Sequence, residues 1–197
     1  MSPRRSGSKR DSRSDRFVGH LVIRPALSLD VCWLVSLCEA ERRAFPDMQR
    51  HFAAALDNPD LLLLICQMQD DIIGYGHASV LIPDTTTAST PPSGYYLTGL
   101  LVASAWRRRG IGLTLTHARL SWIFKRSDTA WYFSNARNDA SLSLHAKLGF
   151  TEVTRDFSYP NVSFQGGIGV LACLQRTHYR HQLTRRGFAL EDCSDQP

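Results

Sequence analysis

One segment near the middle of the chain, LLVASAWRRRGIG at residues 100–112, narrows the folds open to this sequence. Its apolar start predicts a buried strand, and a basic turn then leads into a predicted helix at about residues 110–125. The first N–H groups of a helix have no partner within the helix and, together with the helix dipole, attract an anion. Because Gly110 and Gly112 carry no Cβ, a phosphate can approach the backbone closely. Positive charge comes from three consecutive residues, Arg107, Arg108 and Arg109. The segment therefore predicts a pyrophosphate-binding turn between a strand and a helix.

Hydrophobic periodicity predicts strands and helices on both sides of this turn. The predicted strands cover about residues 20–24, 61–67, 72–82, 95–102, 131–134, 150–157 and 168–174. The predicted helices run from about residue 31 towards Pro46, and over about 48–56, 110–125 and 140–148. The uninterrupted apolar run at 61–67 is typical of a strand buried on both faces. Without an internal repeat, this order of elements predicts a single α/β domain with one mixed sheet.

The positive charge of the chain is concentrated at one end. Residues 1–16 contain six Lys or Arg and two Asp, so +4 of the net charge of +5 lies there. A segment of this kind is expected to be a solvated tail, and the rest of the chain lacks the basic clustering of a nucleic-acid-binding domain. We therefore expect a disordered basic tail at 1–16, one domain at 17–177 and a polar C-terminal extension at 178–197.

Other features argue against a membrane, secreted or metal-binding protein. No stretch approaches the roughly 18 apolar residues of a membrane span. The basic N-terminus has no apolar region behind it, so it does not indicate a secretory signal. The five cysteines are scattered without a C-x-x-C pair: Cys32, Cys38, Cys66, Cys173 and Cys193. This pattern favours reduced thiols in a cytoplasmic protein without a metal site. The sequence as a whole leaves a homodimer open.

A second segment, NDASLSLHAKLGF at residues 138–150, follows one predicted strand further along the chain. Together the two segments resemble the GNAT superfamily of N-acetyltransferases. In that family Arg/Gln-x-x-Gly-x-Gly/Ala binds acetyl-CoA, and a later Asn-x-x-(Ala/Ser)-x-x-Leu-Tyr-x-Lys-x-Gly-Phe segment flanks the pantetheine arm. The first motif matches at Arg107, Gly110 and Gly112. The second matches at Asn138, Ser141, Leu144, Lys147, Gly149 and Phe150. The resemblance covers about residues 21–175 and is most specific between 100 and 150.

This resemblance implies a mostly antiparallel central sheet flanked by helices, with acetyl-CoA as co-substrate. It implies a bulge in the strand before the turn, where a backbone amide near Leu101 or Val102 faces the thioester carbonyl and stabilises the oxyanion. The strands around Val102 and Phe133 would separate to admit the pantetheine arm. The implied contacts with acetyl-CoA are Leu101, Val102, Arg107, Arg108, Arg109, Gly110, Ile111, Gly112, Asn138, Ser141 and Lys147.

The general acid is the position where this sequence departs from the family pattern. Many GNAT enzymes have a tyrosine that protonates the departing thiolate, and this sequence has His145 there. A histidine can donate a proton near neutral pH. Equally, His145 can be a packing residue of its helix, with solvent supplying the proton. The sequence leaves both interpretations open.

The general base has several candidates, of which Glu41 and His77 are the foremost. The substrate amine must lose a proton before it attacks, so a carboxylate, a histidine or a chain of water molecules is expected nearby. Glu41 lies near the connection between the first two helices, which walls the acceptor site in the family, and His77 lies on a central strand. Each also has a simpler explanation, a solvated helix face for Glu41 and a satisfied strand position for His77.

The acceptor is the least defined part of the site. The aromatic segments at 94–100, 131–133 and 155–157 resemble bacterial enzymes related to aminoglycoside N-acetyltransferases, including those for kasugamycin-type aminosugars. A polycationic acceptor needs acidic and aromatic residues, for which the candidates are Glu41, Asp47, Tyr96 and Asp156. We therefore expect a resistance enzyme that acetylates a small aminoglycoside-type amine. A protein or peptide N-acetyltransferase and a CoA-binding regulatory module without turnover are the alternatives.

Overall fold

The predicted strands form a single seven-stranded sheet. A computed structural model describes residues 21–83, 89–159, 162–164 and 166–185. The strands are β1 Leu21–Pro25, β2 Leu61–Met68, β3 Asp71–Leu81, β4 Gly94–Val102, β5 Thr129–Asn135, β6 Thr151–Thr154 and β7 Gly169–Gln175. Their spatial order is β1-β2-β3-β4-β5-β7-β6, and all neighbours are antiparallel except β4 and β5. The mixed, mostly antiparallel sheet expected from the sequence is confirmed.

Helices lie between these strands in the predicted order. They are α1 Val31–Ala40, α2 Met48–Leu56, α3 Ile111–Phe124, α4 Asp139–Lys147 and α5 Arg176–Arg185. Helix α1 ends at Ala40 instead of continuing towards Pro46, and Arg42 just beyond it adopts a left-handed φ of 55°. Strand β6 ends at Thr154, short of the predicted residue 157, where the N–H of Asp156 donates to the Thr154 hydroxyl at 3.0 Å.

Helix α5 is not anticipated by the sequence pattern, because residues 176–185 are mostly polar. Tyr179 attaches it to the sheet domain: the side chain is buried, and its ring lies 5.2 Å from that of Phe124. The Tyr179 hydroxyl also hydrogen-bonds Nδ1 of His117 at 2.6 Å. The packed chain therefore continues beyond the boundary expected at residue 177. The expected tail at 1–16 and residues 186–197 lie outside the described residues.

Helices cover both faces of the sheet. Helices α1 and α2 pack on one face, where Leu63 and Ile65 of β2 contact their apolar residues. Helix α3 crosses β2 to β5 on the opposite face, where Leu64 and Cys66 contact Leu115. Strand β2 is thus buried on both faces, as its apolar run predicts. None of the described helices is both long and apolar enough to cross a bilayer.

Candidate active site

The sheet opens between β4 and β5. Their parallel pairing runs from Tyr95 opposite Ala130 to Leu97 opposite Tyr132, and in the described chain it goes no further. Both strands continue beyond these pairs, β4 to residue 102 and β5 to residue 135. The opening lies where the strands around Val102 and Phe133 are expected to separate.

A bulge in β4 borders this opening. Leu100 lies opposite Gly76 of β3 and Thr98 lies opposite His77, so Gly99 is the extra residue of β4. Gly99 has a φ of +41°, which favours glycine. The bulge therefore lies at Gly99, before the position near Leu101 or Val102 that the family resemblance suggests.

The backbone after the bulge points two N–H groups towards the opening. The Ala103 N–H donates to the Ile73 carbonyl of β3 at 2.9 Å. Since backbone groups alternate in direction along a strand, the Leu101 N–H also faces β3, whereas those of Leu100 and Val102 face the side from which β5 has diverged. Of the two amides expected from the sequence, Val102 is thus directed to the opening and Leu101 is not. Leu100 joins it.

The basic turn leads into α3 beside the same opening. Arg108 and Gly110 adopt left-handed φ values of 63° and 86°. The Thr114 N–H donates to the Gly110 carbonyl at 3.0 Å, and the N–H groups of residues 111–113 precede this bond at the helix terminus. A Cβ on Gly112 would lie 3.7 Å from the Leu100 side chain, an ordinary contact. Packing within the protein therefore does not require glycine at 112, and the missing Cβ leaves room for an anion to approach the backbone closely.

Glu41 fastens this turn to α1. Its carboxylate accepts the Ser104 N–H at 2.6 Å and pairs with the Arg107 guanidinium at 2.5 Å. Nε of Arg107 also donates to the Val102 carbonyl at 3.0 Å. The Ser104 N–H, with Arg107 adding to it, holds the Glu41 pKa below its usual range. Glu41 therefore acts in this geometry as an anchor of the turn, and a carboxylate so engaged is a poor base.

The second predicted motif meets the first at the opening. Asn138 is the N-cap of α4, and its side-chain oxygen accepts the Ser141 N–H at 3.2 Å. Leu144 of α4 approaches Gly112, where a Cβ on the glycine would lie 3.9 Å from it. Lys147 is exposed in the last turn of α4. Asn138 and Ser141 thus lie together at one end of the helix, with Lys147 at the other.

His145 is buried between α4 and β5. Only 4% of the residue is exposed, and its ring stacks on that of Tyr132 with 3.7 Å between centroids. Its Nδ1 lies 2.8 Å from the Ser141 carbonyl, which can only accept, so Nδ1 carries the proton of the neutral ring. Among the described residues Nε2 finds no partner, and burial lowers the pKa of the ring to about 4. This neutral tautomer has no proton at Nε2 to donate.

His77 lies beside the bulge on the face covered by α1 and α2. Its ring stacks on His51 at 5.9 Å, and a Cβ on Gly99 would lie 3.3 Å from its Nδ1. Burial, followed by the charges of His51 and Arg119, lowers the His77 pKa to about 3. His77 is therefore neutral at pH 7 and near the opening, but it is a weak base.

The acceptor candidates do not form one cluster. Tyr96 is fully buried, and its hydroxyl donates to the Pro92 carbonyl at 2.6 Å, the satisfied strand position that was the simpler expectation. Asp47 is exposed at the start of α2, which packs on β2. Asp156 is exposed just after β6, the strand at the far edge of the sheet. The aromatic residues are more concentrated, since Phe133 packs against Tyr159 and Phe164.

The two sequence motifs do not include one buried polar residue of this region, Arg119. Arg119 of α3 is 1% exposed, and its guanidinium donates to the carbonyls of His77, Thr98 and Gly99 at 2.9 to 3.3 Å. A signal was present in the sequence, because Arg119 follows Ile111 and Leu115 at spacings of four on the apolar stripe of the helix. A charged residue in such a stripe indicates a buried polar contact.

Comparison with known proteins agrees with this geometry. The Acetyltransferase (GNAT) family matches residues 28–150 of the chain. The ribosomal-protein-S18-alanine N-acetyltransferase from Escherichia coli superposes with a TM-score of 0.60 and 20% identity, over 79% of this chain and 94% of that one. Arabidopsis thaliana NAA60 in complex with acetyl-CoA gives a TM-score of 0.61 and 15% identity, over 80% and 99%. The aminoglycoside antibiotic 6'-N-acetyltransferase AAC(6')-Ih from Acinetobacter baumannii gives 0.58 and 20%, over 73% and 99%. None of the curated protein sequences compared with the chain matches it.

The family match covers more than half of the chain, and the chain therefore belongs to the GNAT family of acetyltransferases. It is an N-acetyltransferase that uses acetyl-CoA as co-substrate.

Proposed function

We propose that the protein transfers the acetyl group of acetyl-CoA to a primary amine of a small aminoglycoside-type molecule. The observation that carries the proposal is the coincidence of three features at one place: the separated strands β4 and β5, the N–H groups of Leu100 and Val102, and the N-terminus of α3. A linear molecule with an anionic end fits this arrangement, with its anion at the helix and its other end between the strands.

The turn at residues 107–112 binds the pyrophosphate in this proposal. The N–H groups at the start of α3 point at the anion, and Arg108 and Arg109 are the charges at its surface. Arg107 supports the turn from behind through Glu41. Asn138 and Ser141 line the opening from α4, on the path of the pantetheine arm.

The reaction is a direct transfer. The lone pair of the neutral amine attacks the thioester carbon, a C–N bond forms, and the carbonyl oxygen becomes an oxyanion that the Leu100 and Val102 N–H groups stabilise. The C–S bond then breaks, and its electron pair leaves on the CoA sulfur. The nitrogen releases its extra proton to water, and the thiolate takes a proton from water. His145 packs the opening in this scheme, because its Nε2 has no proton to give.

The acceptor assignment is supported by charge and by likeness. Asp47 and Asp156 are the exposed carboxylates among the acceptor candidates, since Glu41 is occupied by the turn. Exposed carboxylates attract a polycationic acceptor before it reaches the opening. Two aminoglycoside 6'-N-acetyltransferases are among the similar folds, one of them in complex with a bisubstrate analogue. Folds of the same similarity include protein N-acetyltransferases, so acetylation of a protein N-terminus is the second candidate.

A thiol-release assay with matched acceptors tests the proposal. The protein and acetyl-CoA are incubated with a 6'-amino aminoglycoside, its 6'-hydroxy counterpart, and a peptide with a free N-terminal alanine. Saturable CoA release with the aminoglycosides and none with the peptide is expected. Release with the peptide alone would establish the second candidate. If neither the aminoglycosides nor the peptide is acetylated, the proposed acceptor is refuted. Susceptibility of a host expressing the protein to the same aminoglycosides checks the result in cells.

A further inference from the structure

We propose that Arg119 is a positioning residue for acetyl transfer, which holds the bulge of β4 from the α3 side so that the Leu100 N–H faces the opening. This assignment rests on the proposed placement of the thioester beside β4. Arg119 lies outside both GNAT motifs, and only the folded structure brings its side chain against the bulge.

The contacts of the guanidinium concentrate on the bulge. Nη1 donates to the His77 carbonyl at 2.9 Å, to the Thr98 carbonyl at 3.2 Å and to the Gly99 carbonyl at 3.3 Å. These three carbonyls belong to the irregular part of the β3–β4 pairing. Two further bonds, from Nη2 to the Thr116 hydroxyl at 2.8 Å and from Nε to the Leu115 carbonyl at 3.3 Å, fix the guanidinium to its own helix.

Two neighbouring residues support this arrangement: Gly76 leaves room for the Arg119 side chain, and His77 contacts the bulge from the other face of the sheet. A Cβ on Gly76 would lie 2.9 Å from Nε of Arg119, so the absence of a side chain there accommodates the guanidinium. On the other face of the sheet the His77 ring lies against Gly99. The bulge is thus held between Arg119 on one face and His77 on the other, and a backbone held from both faces has little freedom to rotate its amides.

The charge of Arg119 is unusual for its position. Every hydrogen-bond partner that it has in the described chain is a neutral oxygen, although buried arginines are normally paired with carboxylates. Burial lowers its pKa to about 9, so the group remains a cation at neutral pH. A buried positive charge behind the strand favours the negative charge that develops on the thioester oxygen in front of it.

Simple packing does not account for this residue. Arg119 follows Ile111 and Leu115 on the buried stripe of α3, and Leu120 and Ile123 beside it are fully buried apolar residues. A leucine at 119 would continue the stripe without the expense of burying a charge. An arginine at this position can donate hydrogen bonds to the three carbonyls at the bulge, and a leucine cannot.

The test compares Arg119→Leu with Leu120→Ala, a buried change on the same helix that leaves the bulge contacts alone. Both variants are expected to lower the melting temperature. Only Arg119→Leu is expected to lower kcat, by about 10- to 100-fold, because small displacements of catalytic donors have effects of this size. Calorimetry should show its affinity for acetyl-CoA weakened about 2- to 10-fold and its affinity for free CoA unchanged, since free CoA lacks the thioester carbonyl that the bulge amide would bind.

The outcomes separate this inference from the proposed acceptor. If Arg119→Leu keeps kcat within about twofold and binds acetyl-CoA and CoA as the wild type does, Arg119 is structural only and the inference is wrong. If the wild type acetylates none of the offered amines, the acceptor proposal fails, and the two affinities still decide the role of Arg119. Should the leucine variant not fold, Arg119→Lys keeps the charge but not the fork of donors, and a wild-type kcat in it would likewise overturn the inference.

Discussion

Replacing His145 with alanine distinguishes a packing residue from a general acid. The imidazole is 4% exposed and stacks on Tyr132, so its removal leaves a cavity between α4 and β5. Truncating a buried aromatic side chain to alanine costs about 3–5 kcal/mol. Loss of the buried Nε2, which no described residue satisfies, returns about 1–3 kcal/mol. The midpoints of these two ranges leave a net loss of about 2 kcal/mol, which for a chain of this size lowers the melting temperature by about 4–8 °C.

Although His145→Ala should lower the melting temperature, we expect it to leave kcat nearly unchanged. Because Nδ1 donates to the Ser141 carbonyl and Nε2 is unprotonated, the neutral ring cannot protonate the thiolate, and kcat should stay within about twofold of wild type. Steady-state kinetics at a temperature below both melting transitions measures this. His145→Phe is the matched control, since it keeps a stacked ring and should restore most of the stability. A fall in kcat of about 10²–10⁴ with an unchanged KM for acetyl-CoA would refute the packing role and establish the general acid.

Two further predictions concern groups with shifted pKa values. Between about pH 6.5 and pH 4, His145 binds a proton in the unfolded chain but not in the folded chain, where its pKa is lowered. The free energy of unfolding should therefore fall as the pH falls, by at most about 1.4 kcal/mol per pH unit from this residue. Urea unfolding at several pH values should show a shallower acid limb in His145→Phe, and an identical limb would contradict the burial argument. Glu41→Gln should weaken acetyl-CoA binding about 3- to 10-fold by calorimetry while kcat at saturation changes little, because the turn loses its anchor. A large loss of kcat at unchanged affinity would instead make Glu41 the base.

The parts of the fold set by local sequence were predictable. The strand, the turn with Gly110 and helix α3 are contiguous in the chain, and apolar periodicity with a glycine at the helix start specifies each of them. The mixed sheet was also predictable, because the order of strands and helices along the chain is compatible with few topologies. Helix α5 could not be predicted in the same way, since its apolar contacts with the core come from Tyr179 and Leu183 alone among the described residues, and two residues make no extended periodic pattern.

The site itself was only partly predictable, because its geometry depends on contacts between distant residues. The two motifs meet through Leu144 and Gly112, as their order suggests. The role of Glu41 depends on Ser104 and Arg107, more than sixty residues away, and no spacing rule reveals that contact. The same holds for Arg119, whose partners are backbone carbonyls and therefore leave no trace in side-chain identity.

Calorimetric titration of acetyl-CoA into the wild type and into Gly112→Asp tests the central claim most directly. A Cβ at 112 makes only ordinary contacts within the protein, so the variant should fold with a melting temperature close to that of the wild type. Its carboxylate would occupy the place of the pyrophosphate at the start of α3 and repel it. We expect saturable binding with a single site in the wild type and no measurable binding in the folded variant. Equal affinities in the two proteins would contradict the placement of acetyl-CoA between β4, β5 and the terminus of α3.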